Sequence, residues 1–567
     1  MKKLISLALV FILILSLVIN ISASAEDATS PLLADELWPA DTTIDHSLPY
    51  YQRFEGVEFT TFLNSGSSDL PEGMTLDENE VTKLITMVTG LVPKIVWAAG
   101  GSAFTEKQNA AITTGEIPDV MSVSLTQYKQ LVKSGLLADL TDYFDQYLAP
   151  EMKAAHEYGH NLALEALKVD GRIYGIPQIY CYGDGSPLVW LRQDWLDKLG
   201  LTLPKTYADL EKIAIAFMEE DPDGDGQENT YGITVLPDYS ATYGGTGNMG
   251  DLFLNIGGAA PQCWIKQDDG SIIYGSLMNG AKEALTVLND WYNKGIIPAD
   301  FATWTEDELK AALGNNKAGI TVGPWWDVWG GVGNSINSNE DAYWTPVCLK
   351  ATEDGTYFTQ AGGPIFSLYV VNKNYDHPEY FVIAQNSLYS TMYEVPSMTT
   401  SNDFNPFRGS SSPNSVLGAA SVSDTLLSGE LSKEEYISAM LEAGVNGYEI
   451  AHWPPAMENV KKCLAEETPR KAGADAYCDY LGRYLAPKAM LDANPVFIAT
   501  EFQGNTKSMD MYGTFLSDLE KDAYTKMIMG NTNGLSISDY FDGFVKDYLA
   551  QGGAEITAEV QAEVDAR

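Results

Sequence analysis

An α/β fold with chain enough for two domains is what this sequence predicts, on three observations. Short apolar strands alternate with amphipathic helices from about residue 50, the chain is 567 residues long, and its C-terminal third reads as one helix after another. Residues 57–62 alternate in polarity as a strand does. A helix capped by Asp77 then runs to Thr89, with Val81, Leu84, Ile85 and Val88 on one face. Residues 94–97 read as the next strand, 105–114 as a helix and 118–123 as a third strand. Such alternation implies βαβ units and a largely parallel sheet, and these sheets bind ligands beyond the carboxyl ends of their strands. That rule puts Asn64, Trp97 with the Ala-Ala-Gly-Gly after it, and Ser124 at candidate binding edges. Residues 171–364 repeat the α/β style with more aromatic and glycine content. Helices are expected at 432–441, 457–467, 514–529 and 537–549.

A hydrophobic content of 45% and a charged content of 20% are those of a folded globular chain. Its 77 acidic against 35 basic residues give a net charge of −42, a field that repels phosphate backbones and anionic lipid and so argues against nucleic acid and membrane surfaces as partners. A neutral ligand is not excluded, because a local pocket is independent of global charge. Lys2 and Lys3, the apolar run 4–21 and Ala23-Ser24-Ala25 form a signal peptide over residues 1–25, so export is expected. An uncleaved anchor is the alternative, since the run is long for a signal peptide. Residues 26–49 read as a leader segment. The first of the five cysteines is Cys181, so no lipid-modified cysteine is expected near the cut. The five are too few and scattered for a disulfide scaffold; Cys463 and Cys478 are the one candidate pair, with isolated buried thiols as the alternative.

Four groups of segments resemble extracellular solute-binding protein family 1 of ABC importers, especially its larger Gram-positive lipoprotein-type branch. They are Gly115-Glu116-Ile117-Pro118-Asp119-Val120 with 131–140; Asp170-Gly171-Arg172-Ile173-Tyr174-Gly175-Ile176-Pro177 with 191–201; Gly323-Pro324-Trp325-Trp326; and Met529-Gly530 with 540–545 and 552–556. The resemblance implies a periplasmic-binding-protein-like fold of two α/β lobes joined by hinge strands and closing on ligand between them. It places lobe 1 at 50–170 and 372–480, lobe 2 at 171–371 and 481–567, and crossings near 171–177 and 366–372. It also implies a monomeric, non-enzymatic receptor that captures a carbohydrate, an oligosaccharide in a chain this aromatic, for the membrane subunits of an ABC importer. The missing lipidated cysteine departs from the family pattern.

The sharpest chemical motif runs from Asp221 to Gly232. Asp221, Asp223, Asp225 and Asn229 stand at loop positions one, three, five and nine, Gly226 makes the tight turn at six, and Gln227 offers a carbonyl at seven. A hard cation such as Ca²⁺ takes that set of oxygens, although position twelve is Gly232 where an EF-hand has glutamate. Sugar-binding relatives are expected to close such a loop with positions nine and ten, here Asn229 and Thr230; a metal-free turn is the alternative. With 12 Trp and 31 Tyr the chain is rich in the planes on which sugar CH faces stack. Trp325, Trp326 and Trp329 follow a strand-to-loop transition, and the resemblance gives Trp325 the stacking position of maltose-type binders. Tyr180, Tyr182 and Trp453 complete the candidate ligand set, each with core packing as its alternative. No catalytic constellation stands out. His156-Glu157-Tyr158-Gly159-His160 satisfies the zincin string formally, but Gly159 weakens the helix that would hold both rings. A secreted carbohydrate-active or metalloprotease-like hydrolase is the competing reading.

Overall fold

In the computed structural model of the chain, which describes residues 44–566 except 66–69, 159–160, 180, 182, 362–364, 392–404, 411–414, 429–431 and 505, the Val57–Asn64 strand pairs in parallel with Leu91–Ala99. The Glu80–Thr89 helix joins them. Its cap is Asn79 rather than Asp77: the Asn79 side chain accepts from the Val81 and Thr82 amides while the Thr82 hydroxyl accepts from the Asn79 amide. Asp77 instead accepts from the Ile95 amide at 2.7 Å, tying the loop to the second strand. The helix stops at Gly90, which is left-handed at φ 77°, and a Cβ there would overlap the Phe54 carbonyl oxygen.

A second sheet completes this first core, with Ile365–Val371 between Val120–Ser122 and Gly175–Ile179, both antiparallel to it. The expectation of a largely parallel sheet is therefore corrected. The central strand arrives from residues about 190 positions later in the chain and runs against its neighbours, a pairing that local periodicity does not encode. Phe59, Val88, Leu91, Tyr128, Val371, Phe381 and Phe407 are buried in this core.

Leu188–Arg192 is the middle strand of a third sheet, flanked antiparallel by Ile320–Gly323 and Trp344–Val347. Successive side chains of a strand point to opposite faces, and here each face feeds a separate core. Val189 and Leu191 pack with the Tyr207–Glu219, Asn279–Asn293, Lys507–Ile528 and Ile537–Tyr548 helices. Leu188 and Trp190 pack with Val332, Trp344 and the Gly447–Leu464 and Ala474–Tyr480 helices. At the strand's end Arg192 is buried, donates to both oxygens of Asp194 at 2.7 and 2.6 Å, and lies 4.8 Å over the Trp195 ring.

Two boundary expectations change. The crossings placed near 171–177 and 366–372 fall inside or beside paired strands of the first core. Residues assigned to the first lobe up to 480 divide after Phe407, because Ala419, Met440, Trp453 and Tyr477 pack around Trp190 and Trp344. The proposed signal peptide, 1–25, lies outside the described residues. All five cysteines are free thiols, and among the described residues no helix is long and apolar enough to cross a membrane.

Two buried carboxyls give these cores a pH dependence. Asp251 accepts from Thr359 at 2.7 Å and Glu520 from Ser276 at 2.9 Å; burial pushes each carboxyl up to about 7, well above its ordinary range. The folded chain thus holds protons that the unfolded chain releases between roughly pH 4 and 7, so the stabilisation is full below pH 4 and lost as pH rises through 7. Asp251→Asn and Glu520→Gln are each expected to flatten the fall in melting temperature between pH 5 and pH 8. At pH 8 each removes a penalty on the order of 3 kcal/mol.

Candidate functional site

Immediately after the Ile320–Gly323 strand the chain turns through a short 3-10 helix, Trp325–Trp329, that displays three tryptophans. Its geometry is set by Asp327, which points inward. Asp327 accepts from the Thr246 hydroxyl, from the Gly331 amide at 3.0 Å and from the Val332 amide at 3.3 Å. Burial raises its carboxyl above the usual range, against the opposite pull of those bonds and of Lys310. The space is tight: a Cβ at Gly323 would sit 2.9 Å from the Asp327 carboxyl carbon, and one at Gly330 2.7 Å from its Oδ1. The glycine of the Gly-Pro-Trp-Trp segment is thereby explained by room for this carboxylate.

With Asp327 turned in, Trp325 and Trp326 are half-buried and Trp329 is 49% exposed. Asp184 gathers them: its Oδ1 accepts from the Trp325 indole at 3.3 Å, its carbonyl from the Trp326 indole at 2.9 Å, and its Oδ2 from the Tyr243 hydroxyl at 3.3 Å. The Tyr243 and Trp326 rings lie 6.5 Å apart at 25°. A Cβ at Gly185 would overlap the Tyr243 ring, so this glycine admits the aromatic. Trp329 meets Trp325 edge-on at 5.9 Å, and Arg483 lies 4.7 Å over its ring. Beside Tyr243 a cavity of about 700 Å³ extends past Trp264, Phe502 and Gln503 to Ile365, where the chain re-enters the first core.

On the first core, Asn64 lines a cavity of about 280 Å³ with Ser122, Ser367, Asn405 and Arg408. Trp97 stacks on Phe62 at 4.2 Å with Lys107 5.4 Å from its ring, so it backs the wall of that cavity. Ser124 spends its hydroxyl capping the Leu125–Lys133 helix. Trp453 is buried within the Gly447–Leu464 helix, not on a turn, so a cleft role is corrected to packing. Pro454 has no amide for the Ile450 carbonyl, and the Tyr436 hydroxyl donates there instead at 2.6 Å. Tyr180 and Tyr182 lie outside the described residues. Asp184 and Tyr243 escaped the sequence reading; their only signal was two glycine-rich turns, 183–185 and 243–245.

The acidic loop brings oxygens of Asp221, Asp223 and Asp225 within 4.8 Å of one another. Asp221 Oδ2 accepts from Gly226 at 3.1 Å and Asp225 Oδ1 from Gln227 at 2.8 Å, while Asp221 Oδ1 is buried without a partner. That set of hard oxygens fits a divalent cation. The Thr230 hydroxyl donates to the Phe217 carbonyl at the end of the preceding helix. Lys317 donates to Asp223, Asp225 and Asn229; its ammonium, followed by the Asn229 amide, holds the Asp225 carboxyl below the usual range. His156 is buried with neither ring nitrogen partnered, and burial lowers it to about 4; His160 lies outside the described residues.

The model of the family described as "Bacterial extracellular solute-binding protein" matches residues 88–382. The chain belongs to this family. Among curated relatives it is 25% identical over 352 residues to the fructooligosaccharide ABC transporter substrate-binding protein FusA of Streptococcus pneumoniae serotype 4 (strain ATCC BAA-334 / TIGR4), covering 55% of this chain and 63% of that one. It is 26% identical over 255 residues to the polygalacturonan/rhamnogalacturonan-binding protein YtcQ of Bacillus subtilis (strain 168), covering 43% and 47%. The chain thus spans less than two thirds of the curated relatives it matches. In structure it resembles the alginate-binding protein AlgQ2 without calcium ion, at TM-score 0.55, 15% identity and coverage of 90% and 98%. These likenesses establish the periplasmic-binding-protein-like α/β fold; the members of the family are binding proteins.

Asp327→Ala would strand the Thr246 hydroxyl and two amides in a dry site. It is expected to cost about 2–4 kcal/mol of stability in denaturant melts and to red-shift tryptophan emission as the turn loosens. Asp327→Asn, which keeps an acceptor, should lose less.

Proposed function

We propose that this chain captures a carbohydrate between two lobes and hands it to the membrane subunits of an ABC importer. The observation that carries the reading is the cluster of Trp325, Trp326 and Tyr243 around Asp184. Aromatic planes meet the CH faces of sugar rings, and a carboxylate among them accepts from ring hydroxyls. The curated relatives are named for a fructooligosaccharide and for polygalacturonan or rhamnogalacturonan, which supports an oligosaccharide over a single sugar. The cavity of about 700 Å³ beside Tyr243 has the size that encloses a drug-sized ligand. On this reading the lobes are 54–179 with 365–407, and 188–360 with 415–565. Asn64, backed by Trp97, faces the ligand from the first lobe. Residues 1–25 direct export, and the receptor works as a monomer.

A thermal-shift screen with fructo-oligosaccharides, oligogalacturonides and other plant and microbial glycans tests the reading; a receptor melts higher with its ligand and releases no product. For the glycan so found, Trp325→Ala and Trp326→Ala are expected to lose roughly 1–3 kcal/mol of binding, about 5- to 150-fold in Kd, with melting temperature little changed. Normal affinity with a collapsed melting temperature would reassign these rings to packing.

For the acidic loop we propose a structural divalent cation such as Ca²⁺, held by Asp221, Asp223, Asp225, the Gln227 carbonyl and Asn229. The support is the donor set together with the FusA relative, one structure of which is of an EF-hand mutant. The ion would neutralise three carboxylates that repel one another. Added Ca²⁺ is expected to stabilise the metal-free protein, by about 2.7 kcal/mol at a hundredfold excess over Kd, and Asp223→Ala to abolish that response.

A further inference from the structure

The loop already has a cation of its own. Lys317 Nζ lies 2.8 Å from Asp223 Oδ2, 2.5 Å from Asp225 Oδ2 and 2.8 Å from Asn229 Oδ1, so it touches three of the five groups proposed as metal ligands. This is not the chance reach of a long side chain. The Tyr231 amide donates to the Lys317 carbonyl at 2.8 Å, and Tyr231 bridges Ala318 in parallel, which fixes the Lys317 backbone beside the loop's exit. The Asp223 side chain is only 3% exposed, so its charge has little water to lean on and needs a partner. A second lysine at the loop behaves differently: Lys198 donates to the Asp221 and Pro222 carbonyls at 3.0 and 3.1 Å and touches no carboxylate.

We infer that Lys317 is the loop's resident counter-cation and sets its metal affinity: the ammonium neutralises the carboxylates when metal is absent, and Ca²⁺ enters only by displacing it. The inference rests on the reading of the loop as a cation site. It follows that the loop keeps its shape without metal and binds metal weakly for so acidic a cluster, because two charge-assisted hydrogen bonds have to be surrendered first. The metal response of the protein is then set by a residue outside the loop.

Calorimetric titration of CaCl₂ into metal-free wild type, Lys317→Met and Lys198→Met tests it. Lys317→Met is expected to bind Ca²⁺ at least about tenfold more tightly than wild type. Lys198→Met, which removes the same charge from the same loop, should change by less than about threefold. Without metal, Lys317→Met should melt below wild type and recover with Ca²⁺; Lys317→Gln, gentler on packing, should show the same gain in affinity. Equal affinity in wild type and both Lys317 variants, or an equal gain in Lys198→Met, overturns the inference and leaves the cation site standing. No Ca²⁺ binding by any of the four proteins overturns both.

Discussion

A carboxylate taken out of water must be met by donors, and Asp327 shows how much of a site one such requirement can organise. The two amides and one hydroxyl that satisfy it come from a helix start and from a separate loop, so meeting its need locks three pieces of chain together. Because Asp327 faces in, its neighbours Trp325, Trp326 and Trp329 turn away from it toward the surface in a single short helical turn. Gly323 and Gly330 beside it are consequences of the same carboxylate. The aromatic display rests on a buried carboxyl.

The sheet beneath that turn is equally economical. Trp190 donates its indole N–H to the Gly323 carbonyl at 3.0 Å, so the strand that divides the two C-terminal cores also anchors the start of the tryptophan turn. Arg192, one residue pair further on, closes the strand with Asp194 and with the faces of Trp195 and Trp344. The Arg-Gln-Asp-Trp segment of the family resemblance is thus a packing joint on the strand that also anchors the tryptophan turn.

What the sequence made legible follows from range. Helix periodicity and caps act over a few residues, so the helices near 105–114, 432–441 and 537–549 were recognisable to within a few positions. The Val57–Asn64 strand likewise declared itself by alternation. Sheet order did not, since Ile365–Val371 enters between strands far behind it in the chain. Trp453 lies buried in a helix that runs on through two prolines, and the Tyr436 hydroxyl that meets the Ile450 carbonyl there is announced by no local pattern. In the aromatic cluster the tryptophans were visible in a motif, whereas Asp184 and Tyr243 matter only through contacts across about 60 and 140 residues. In the acidic loop the spacing of oxygens was plain, but Lys317 stands some 90 residues away and the bond of Thr230 to the Phe217 carbonyl reaches one helix back.

Each core is finished by chain made long after it was begun. Leu285, Leu288 and Trp291 remain uncovered until Leu516, Tyr524, Phe544 and Tyr548 arrive, and the Val120 sheet has no central strand until residue 365 has been made. Closing loops of that length is slow compared with local helix formation. For a nascent chain this sets a timetable: the helix at 279–293 reaches its final packing only once residues 516–560 have been made.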